Sequence, residues 1–202
     1  MPPLSLIYRE NPATRRVRRS VDIVVAVIVL TIAFPILLIA AVAIKLDDGG
    51  SVFFAQRRVG RFERLFTIYK LRTMRQRPLT DELSPTSGRD HRITRVGYWL
   101  RKTSIDELPQ LINVLRGEMT LIGPRPEMPF LVRQFEPWQH LRHLAIPGIT
   151  GLWQVRARSI IPLHYPEATH IDLEYINKAS PLTDGAILVD TLRSVFSTQG
   201  AY

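Results

Sequence analysis

The sequence predicts an α+β, mainly helical protein with an N-terminal re-entrant membrane helix hairpin, a small β-hairpin and amphipathic interfacial helices. Three observations support this fold class: an apolar run at Val21–Ile44, short β-prone segments on either side of Gly60, and apolar residues at helical spacing in the second half. The chain turns polar after Leu46. We therefore divide it into residues 1–46, a basic N-terminus with the membrane helix, and residues 47–202, one cytoplasmic domain packed on the membrane interface.

The apolar run is interrupted by Asp22, Thr31 and Pro35. As one straight helix, Val21–Ile44 would reach about 36 Å, which is enough to cross a bilayer core of roughly 30 Å. A single transmembrane helix is therefore one interpretation of this segment.

Two features of the run favour a re-entrant course instead. Pro35 lacks a backbone donor and clashes with the preceding turn, so it predicts a break between arms at Val21–Phe34 and Pro35–Ile44. Basic residues flank both ends of the run, and because positive flanks stay on the cytoplasmic side, both ends are expected there. These residues are Arg15, Arg16, Arg18 and Arg19 before the run and Lys45, Arg57, Arg58, Arg61 and Arg64 after it.

Local patterns also predict a strand pair and a loop in the second region. Two β-prone segments, Val52–Gln56 and Leu65–Tyr69, flank the turn region at Gly60 and predict a short β-hairpin. Residues 78–90 are rich in Pro, Ser, Thr, Asp and Gly, a composition that is typical of an exposed loop.

Three helices are predicted beyond this loop. The first begins near Asp106 and ends near Gly117. Its apolar residues at helical spacing are Leu108, Leu111, Ile112, Leu115 and Met119. The second covers Phe130–Leu144, is interrupted by Pro137, and suits either the membrane interface or ordinary core packing. The last begins at Ser180-Pro181, with the serine as N-cap and the proline in the first turn.

Basic residues outnumber acidic ones, with 27 Lys and Arg against 18 Asp and Glu and a formal net charge of +9. This excess predicts anionic partners such as nucleic acid, acidic lipid headgroups or phosphorylated substrates. The apolar run and the aromatic content of only 8% argue against a nucleic-acid binder, since base stacking uses aromatic side chains. The chain has no cysteine, which excludes a disulfide framework and a thiolate metal site.

The densest cluster of charged side chains is Arg101–Gln110, in which Asp106 and Glu107 follow two basic residues. Pro109 places the helix N-cap near Asp106, because a proline in the first turn loses no helical hydrogen bond. Asp106 could then cap the helix while Glu107 complements the helix dipole. Alternatively, the helix N-terminus and Arg101 would keep Asp106 ionised for attack on phosphorus, while Glu107, about 100° away around the helix, holds Mg²⁺.

Three further motifs suit ligand binding, although each also fits an ordinary structural role. In Gly123–Glu127, two prolines hold the backbone around Arg125, which suits bidentate phosphate binding or a rigid turn. In Lys70–Met74, two basic side chains either meet an anion or form a solvated face. Pro147–Val155 is a glycine-marked loop that could approach a ligand closely or form a plain turn.

The five histidines show no clear metal-ligand spacing. His140 and His143 are three residues apart in a predicted helix, but the sequence alone does not predict a metal site there. The sequence also contains no P-loop and no Gly-x-Gly-x-x-Gly motif, so it carries no common nucleotide-binding loop.

Taken together, these segments resemble the bacterial sugar transferase family, the monotopic phosphoglycosyl transferases. The resemblance runs from about Arg16 to Phe196 and is to the small, minimal form of the family. Each short motif is weak alone, but their common order along the chain is specific. The matching pieces after the apolar hairpin are Val52–Gln56, Lys70–Met74, Arg101–Gln110, Gly123–Glu127, Pro147–Val155 and Ser180–Thr191.

The resemblance implies a polyprenyl-phosphate sugar-1-phosphate transferase. Asp106 would attack the β-phosphorus of a UDP-sugar, release UMP and carry a sugar-phosphoryl aspartate, which undecaprenyl phosphate would then displace. The product would initiate a surface glycan or glycoconjugate, such as an exopolysaccharide. Such an enzyme would lie on the cytoplasmic face of the bacterial inner membrane, among the lipids of the inner leaflet. The alternative is a non-enzymatic polybasic membrane adaptor.

The resemblance also implies roles for individual residues. Asp106 and Glu107 would be the catalytic pair, with Glu107 as the Mg²⁺ ligand. The phosphates would be neutralised by the basic residues at matching positions, which are Lys70, Arg72, Arg101 and Arg125. The nucleotide or sugar pocket would be shaped by Pro147, Gly148, Gly151 and Gln154. The motifs specify neither the sugar nor the oligomeric state.

The sequence departs from the family pattern at three places. The break is Phe34-Pro35 where Ser-Pro is frequent, Gly151–Gln154 reads Gly-Leu-Trp-Gln where Gly-Trp-Trp-Gln is frequent, and the hairpin turn at Gly60–Arg64 is unusually basic. None of these departures touches the Asp106–Glu107 pair, and the properties they could alter are membrane depth and sugar choice.

Overall fold

A computed structural model describes residues 12–75 and 90–197, and its first element is one long helix, α1 (Pro12–Asp48). The prediction of a long apolar N-terminal helix is confirmed, since α1 is long and apolar enough to cross a membrane. The helix continues through Pro35, so the structure describes one helix rather than two arms separated by a break. Pro35 cannot donate to the carbonyl of Thr31, so the helix passes this point with one hydrogen bond fewer. The re-entrant course through a bilayer stays a prediction.

One face of α1 packs on the rest of the protein, while its other faces carry exposed apolar side chains. The buried residues recur every four or seven positions and so form one stripe along the helix. They are Asp22, Ala26, Ala33, Ala40 and Ile44. Large exposed residues on the open faces include Ile32, Phe34, Leu38, Ile39 and Leu46. A helix that is apolar on its open side suits nonpolar surroundings.

Both ends of the apolar run are attached to the same domain. Near the start of the run, Asp22 accepts a hydrogen bond from the Thr120 hydroxyl at 2.7 Å. Just beyond its end, Asp47 accepts one from Val96 N at 3.0 Å. The domain therefore contacts α1 along most of the length of the helix.

The predicted β-hairpin is confirmed, with longer strands than the sequence indicates. β1 (Phe53–Val59) pairs antiparallel with β2 (Leu65–Leu71), in a register that sets Val59 opposite Leu65. Phe66 and Ile68 of β2 are buried in a core that also contains Ala26, Leu111, Val114 and Met119. The hairpin is thus held between α1 and the middle of the domain.

A helix without a sequence prediction, α2 (Arg95–Lys102), follows the region outside the described residues. Its N-cap is Thr94, whose hydroxyl accepts a hydrogen bond from Gly97 N at 2.9 Å. Gly97 lies so close to the chain after β2 that an added Cβ would be 2.0 Å from Thr73 O. A glycine is therefore needed where α2 meets the end of the hairpin.

The segment after α2 differs from the prediction of one helix with Asp106 as its N-cap. The chain reverses at Ser104 (φ 56°) and forms a 3-10 helix at Ile105–Gln110. Asp106 lies inside this 3-10 helix, so its assignment as the cap is wrong. Because Pro109 has no N–H, the turn lacks an α-helical bond to the residue four positions earlier, which favours the short 3-10 form.

The chain continues as α3 (Leu111–Arg116), which ends as predicted at Gly117. Gly117 has a φ of 78°, the left-handed conformation that glycine adopts without strain. A second small sheet follows, in which β3 (Thr120–Ile122) pairs in parallel with β4 (Gly148–Thr150). Strands of three residues are too short to leave a recognisable alternation, so this sheet has no sequence prediction.

The interruption predicted at Pro137 within the helical stretch Phe130–Leu144 is present, and the helical parts on either side are short. The structure has α4 (Pro129–Val132) and a separate 3-10 helix at Gln139–Leu144. Pro137 explains the division, because a proline disfavours the helical conformation in the residue before it. A place at the membrane interface is not confirmed, since both pieces contribute buried residues to the domain, among them Leu131, Val132, Gln139, Arg142, His143 and Leu144.

Three helices complete the described chain: α5 (Leu152–Arg156), α6 (Pro166–Lys178) and α7 (Pro181–Ser197). The predicted start of the last helix is confirmed, because the Ser180 hydroxyl accepts a hydrogen bond from Thr183 N at 3.2 Å. These helices share a core of Leu152, Tyr175, Ile176 and Ile187. The loop predicted for residues 78–90 lies, apart from Asp90, outside the described residues.

Candidate active site

Asp106 and Glu107 lie where the Ile105–Gln110 3-10 helix packs against β2. The left-handed turn at Ser104 directs the chain back from α2 toward the hairpin. Asp106 is only 7% exposed, and the side chain of Glu107 is 12% exposed. Two adjacent carboxylates are thus largely removed from water, an arrangement that requires positive partners.

Glu107 is held between two cations. Lys70 Nζ and Arg125 Nη2 both donate to Glu107 Oε1 at 2.7 Å, and Arg125 Nη1 lies 3.5 Å from Oε2. Burial by itself would raise the pKa of Glu107, but the charges of Arg125 and Lys70 outweigh it and hold that pKa well below the usual value. Glu107 is therefore a fixed anion at any pH near neutrality.

Asp106 is in a different electrostatic state from its neighbour. Burial and then the charge of Glu107 raise the pKa of Asp106 to about 6, against the opposing charges of Lys70, Arg101 and Arg125. Arg101 lowers this pKa, in the direction that favours the ionised form, but burial and Glu107 outweigh it, so Asp106 is mostly ionised only above a pH of about 6. Among the residues that the structure describes, none donates a hydrogen bond to the Asp106 carboxylate, so its oxygens are free to react.

The position of Lys70 depends on Asn113, a fully buried residue of α3. Asn113 Nδ2 donates to Thr67 O at 2.6 Å, and Asn113 Oδ1 accepts from Tyr69 N at 3.2 Å. Both contacts are to the backbone of β2 just before Lys70. α3 and β2 are therefore joined at the point from which Lys70 reaches Glu107.

The position of Arg125 depends on hydrogen bonds to its backbone and to that of its neighbour. Gly148 N donates to Pro124 O at 2.9 Å, and Arg142 Nη2 donates to Arg125 O at 2.9 Å. Arg142 is itself held by an ion pair with Asp172 at 2.6 Å, in which both side chains are almost completely buried. The predicted rigidity of the Arg125 segment thus comes from its neighbours as well as from its prolines.

The glycines of the Pro147–Val155 motif allow close contact with the Gly123 segment. A Cβ on Gly148 would lie 2.1 Å from Gly123 N, and a Cβ on Gly151 would lie 2.2 Å from Gly123 O. Larger residues at these positions would push the two segments apart. Gly148 and Gly151 therefore allow the close packing that holds the Arg125 segment in place. Their predicted contact with a nucleotide or sugar stays a prediction.

Pro147 and Gln154 also make contacts within this part of the domain. Thr120 N donates to Pro147 O at 2.9 Å, and Gln154 Nε2 donates to Ile149 O at 2.9 Å. Gln154 Oε1 is buried and has no hydrogen-bond partner among the described residues. Its role in substrate binding stays a prediction, and this oxygen is the atom available for it.

The remaining two predicted phosphate-binding residues lie in different surroundings. Arg101 is close enough to Asp106 to lower the pKa of that carboxyl. Arg72 instead forms an ion pair with Asp48 at the end of α1 and lies against Gly50, where an added Cβ would overlap its guanidinium. In this structure the charge of Arg72 is already matched, while its predicted role at the phosphates is a proposal.

The sequence analysis did not identify Arg158 as a site residue. Its charge lowers the pKa of Glu107 and interacts with Asp106, and burial lowers the pKa of Arg158 itself. A sequence signal exists in hindsight, because Arg158 follows Gln154 by four residues in a short basic stretch. The two carboxylates are therefore surrounded by four cations, which are Lys70, Arg101, Arg125 and Arg158.

The carboxylate pair fits a hard divalent cation in its donor chemistry. Magnesium prefers one or two carboxylates together with phosphate oxygens. Oε1 of Glu107 is occupied by Lys70 and Arg125, whereas Oε2 has only the 3.5 Å contact with Arg125 Nη1. Glu107 Oε2 and the free carboxylate of Asp106 are thus the oxygens that suit Mg²⁺.

A cavity of about 220 Å³ lies elsewhere, between the start of α1, the end of α3, and α6. Its lining includes Arg15, Arg18, Arg19 and Tyr175 but neither carboxylate of the Asp106–Glu107 pair. The Asp106–Glu107 site is thus distinguished by its charges and hydrogen bonds and is separate from this cavity.

Fold and site together define a protein with one long apolar helix and a buried Asp–Glu pair enclosed by basic side chains. All of these residues fall within a segment that matches the model of one protein family. The chain belongs to the bacterial sugar transferase family, whose model matches residues 13–198.

The chain is similar to several proteins named for sugar-phosphate transfer or exopolysaccharide production. It is 40% identical over 192 residues to the UDP-glucose:undecaprenyl-phosphate glucose-1-phosphate transferase of Caulobacter vibrioides, covering 92% of this chain and 72% of the relative. It is 40% identical over 200 residues to the UDP-N-acetylgalactosamine-undecaprenyl-phosphate N-acetylgalactosaminephosphotransferase of Aeromonas hydrophila, covering 95% of this chain and 46% of the relative. It is 34% identical over 200 residues to the exopolysaccharide production protein ExoY of Sinorhizobium fredii, covering 92% and 88%. The chain thus spans less than half of the Aeromonas relative and most of the Sinorhizobium one.

Proposed function

We propose that this protein is a phosphoglycosyl transferase that moves a sugar-1-phosphate from a UDP-sugar to undecaprenyl phosphate through a covalent intermediate on Asp106. The observation that carries the proposal is the contrast between the two carboxylates: Glu107 is held by two cations, whereas Asp106 is buried beside it without a hydrogen bond from any described residue. Relatives named for this reaction, with glucose and N-acetylgalactosamine as sugars, support it.

In the first step, an oxygen of ionised Asp106 attacks the β-phosphorus of the UDP-sugar. A bond forms between this oxygen and phosphorus, and the bond from phosphorus to the bridging oxygen breaks. The bridging oxygen leaves with the electron pair as part of UMP. Arg101, Arg125 and Arg158 offset the negative charge of the diphosphate, which is the main requirement of phosphoryl transfer. Mg²⁺ held by Glu107 Oε2 and Asp106 would supply further charge neutralisation.

In the second step, a phosphate oxygen of undecaprenyl phosphate attacks the same phosphorus. The bond between phosphorus and the Asp106 oxygen breaks, and Asp106 returns to its carboxylate form. The product is an undecaprenyl diphosphosugar, which initiates a surface glycan or glycoconjugate. The carboxylate of Asp106 is a good leaving group from phosphorus in the acyl-phosphate intermediate, so Asp106 divides one difficult displacement into two easier ones.

The same proposal includes a re-entrant course for α1 at the cytoplasmic face of the bacterial inner membrane. Asp22 and Asp47 both bind the domain, so a straight crossing would require the domain to follow the helix through the bilayer. The open faces of α1 are apolar while the basic residues lie at its two ends, as expected for a helix that enters one leaflet. A site beside that leaflet would serve one soluble and one lipid substrate.

The experiment is an assay of UMP release in nanodiscs that contain undecaprenyl phosphate, with Mg²⁺ and a panel of UDP-glucose, UDP-galactose and UDP-N-acetylgalactosamine. The wild type should release UMP, whereas Asp106→Asn should release essentially none. Asp190→Asn is the matched control, because it makes the same change at an exposed position of α7. Full activity of Asp106→Asn would refute the assignment of Asp106 as the nucleophile.

A second arm separates this enzyme from the alternative, a polybasic membrane adaptor. Without undecaprenyl phosphate, the wild type should carry a labelled sugar phosphate on Asp106, detected by mass spectrometry of the peptide. An adaptor needs the basic residues but not Asp106, and would release no UMP with any member of the panel. Membrane binding that is retained together with a complete lack of turnover would favour the adaptor.

A further inference from the structure

A second cluster of potential ligands lies at the turn of the β-hairpin, apart from the Asp106–Glu107 pair. It consists of Glu63 in the turn and of His140 and His143 in the Gln139–Leu144 3-10 helix, and one ligand atom from each lies within 4.8 Å of the others. His140 Nδ1 is 2.6 Å from Glu63 Oε1, and His143 Nδ1 is 3.8 Å from the same oxygen. Two elements that are distant in sequence thus direct three metal-ligating groups at one point.

His143 is the member of the cluster that indicates a ligand. Its side chain is 6% exposed, and its Nδ1 is buried with no hydrogen-bond partner among the described residues. Its ring is parallel to that of Phe135 within 10°, with 6.2 Å between centroids, so packing holds its orientation. A buried polar atom without a partner is costly, and a metal ion would satisfy it.

Glu63 reaches the histidines from an unusual backbone conformation. Phe62 and Glu63 both have positive φ values, 52° and 61°, which residues other than glycine adopt at a cost. The turn is attached to the 3-10 helix by a hydrogen bond from Arg61 Nε to Leu144 O at 2.9 Å. The turn therefore presents the Glu63 carboxylate to the two imidazoles on a fixed support.

We propose that Glu63, His140 and His143 bind a divalent transition-metal ion of the Zn²⁺ class, with water completing the coordination. Zinc binds imidazole nitrogen and carboxylate oxygen at about 2.0–2.2 Å, so tetrahedral ligands lie roughly 3.3–3.5 Å apart. The observed separations of 2.6 Å and 3.8 Å bracket this value. Two imidazoles favour zinc over magnesium, which prefers oxygen ligands.

The site has a structural consequence for the rest of the molecule. The same 3-10 helix carries Arg142, whose Nη2 donates to Arg125 O at 2.9 Å. A metal at this site would join the hairpin turn to the 3-10 helix. It would thereby stabilise the position of Arg142 and, through the hydrogen bond from Arg142, that of Arg125. Lys70 is six residues from Arg64 along the hairpin, or about 20 Å, so this metal would take no part in chemistry at Asp106.

The test uses tag-free, chelator-treated full-length protein and titrates it with Zn²⁺ against a chromophoric zinc indicator. The wild type should bind one Zn²⁺ and show a higher Tm with Zn²⁺ than with Mg²⁺. Glu63→Gln and His140→Asn should each weaken Zn²⁺ binding by about tenfold or more and abolish the Tm difference. Both positions are more exposed than His143, so these variants avoid disrupting the buried ring.

The matched control is His91→Asn, which removes an exposed histidine elsewhere and should bind Zn²⁺ like the wild type. X-ray absorption of the zinc-loaded wild type should show two imidazole ligands and oxygen donors. The proposal is overturned if the wild type binds no more Zn²⁺ than Glu63→Gln and His140→Asn do. It is equally overturned if these two variants retain the zinc-dependent rise in Tm.

Discussion

Arg125 Nη2 lies 2.7 Å from Glu107 Oε1, and this contact joins the rigid Gly123–Glu127 segment to the 3-10 helix that carries both carboxylates. Lys70 reaches the same oxygen from β2, also at 2.7 Å. Three separate parts of the chain therefore meet at one carboxylate. Lys70 and Arg125 already neutralise the charge of Glu107. Asp106 is therefore the carboxylate that is available to act as a nucleophile.

Replacing Arg125 by Lys keeps the charge but removes the planar guanidinium group, whose two terminal nitrogens form a fork that can bind two acceptors at once. We expect Arg125→Lys to slow UMP release by about 10- to 100-fold, because a lysine cannot hold Glu107 and a phosphate oxygen in fixed directions at once. Single-turnover kinetics would measure the change. The control is Arg133→Lys, the same substitution at an exposed residue. Equal rates for Arg125→Lys and the wild type would contradict the role of the fork.

The first chemical step should depend on pH through Asp106. Burial and Glu107 raise the pKa of Asp106 to about 6, and only the ionised form attacks phosphorus. UMP release in a single turnover should therefore fall as pH decreases through about 6 and be level above 7. Glu107→Gln should move this acid limb to lower pH, since it removes a charge that raises the pKa of Asp106. A flat profile between pH 5 and 8 would show that Asp106 does not control the step.

Asp106→Asn should stabilise the fold while abolishing activity. The folded-state pKa of Asp106 lies above the unfolded value, so ionised Asp106 destabilises the folded state. This cost is absent below the unfolded pKa of roughly 4 and complete above the folded pKa. We expect a gain on the order of 2 kcal/mol at pH 7.5, seen as a higher Tm than the wild type, and a smaller gain at pH 5. A lower Tm at pH 7.5 would mean that the carboxylate contributes to stability.

Two glycines should respond in opposite directions to alanine. Gly148→Ala would place a Cβ 2.1 Å from Gly123 N, so we expect a loss of about 2–4 kcal/mol in unfolding free energy and reduced activity through Arg125. Gly185 lies in α7 with nothing within 4 Å of a Cβ, so Gly185→Ala should stabilise by up to about 1 kcal/mol. Chemical denaturation of the two variants would measure both effects. A tolerated Gly148→Ala would show that the two segments can separate at little cost.

The course of α1 can be tested by labelling, because the chain contains no cysteine of its own. Arg16→Cys and Lys45→Cys place thiols at exposed positions on either side of the apolar run. Both should react with a membrane-impermeant maleimide from the cytoplasmic side of inverted vesicles, and neither from the periplasmic side of spheroplasts. Labelling from opposite sides would mean that α1 crosses the bilayer.

Local patterns were sufficient for the elements whose signal lies within a few neighbouring residues. The apolar run, the β-hairpin, the glycine end of α3 and the serine start of α7 all follow from such patterns. The same reasoning gave the interruption at Pro137 but not how short the two helical pieces beside it are. It failed at Asp106, which lies inside a 3-10 helix and not at an N-cap. The short parallel sheet depends on pairing between distant segments, and three residues leave no periodicity to detect.

By itself the sequence determined the motif order that places the chain in its family, and with it the pair Asp106–Glu107 and the basic residues near them. Only the tertiary structure decided how those charges are distributed. In the folded protein, Lys70 and Arg125 pair with Glu107, while Asp106 accepts no hydrogen bond from the described residues. Arg72 pairs with Asp48 at the end of α1, and Arg158 lies near the two carboxylates. The physical reason is that a residue's charge is set by its type, whereas its pKa and its partner depend on burial and on neighbours that are distant in the chain.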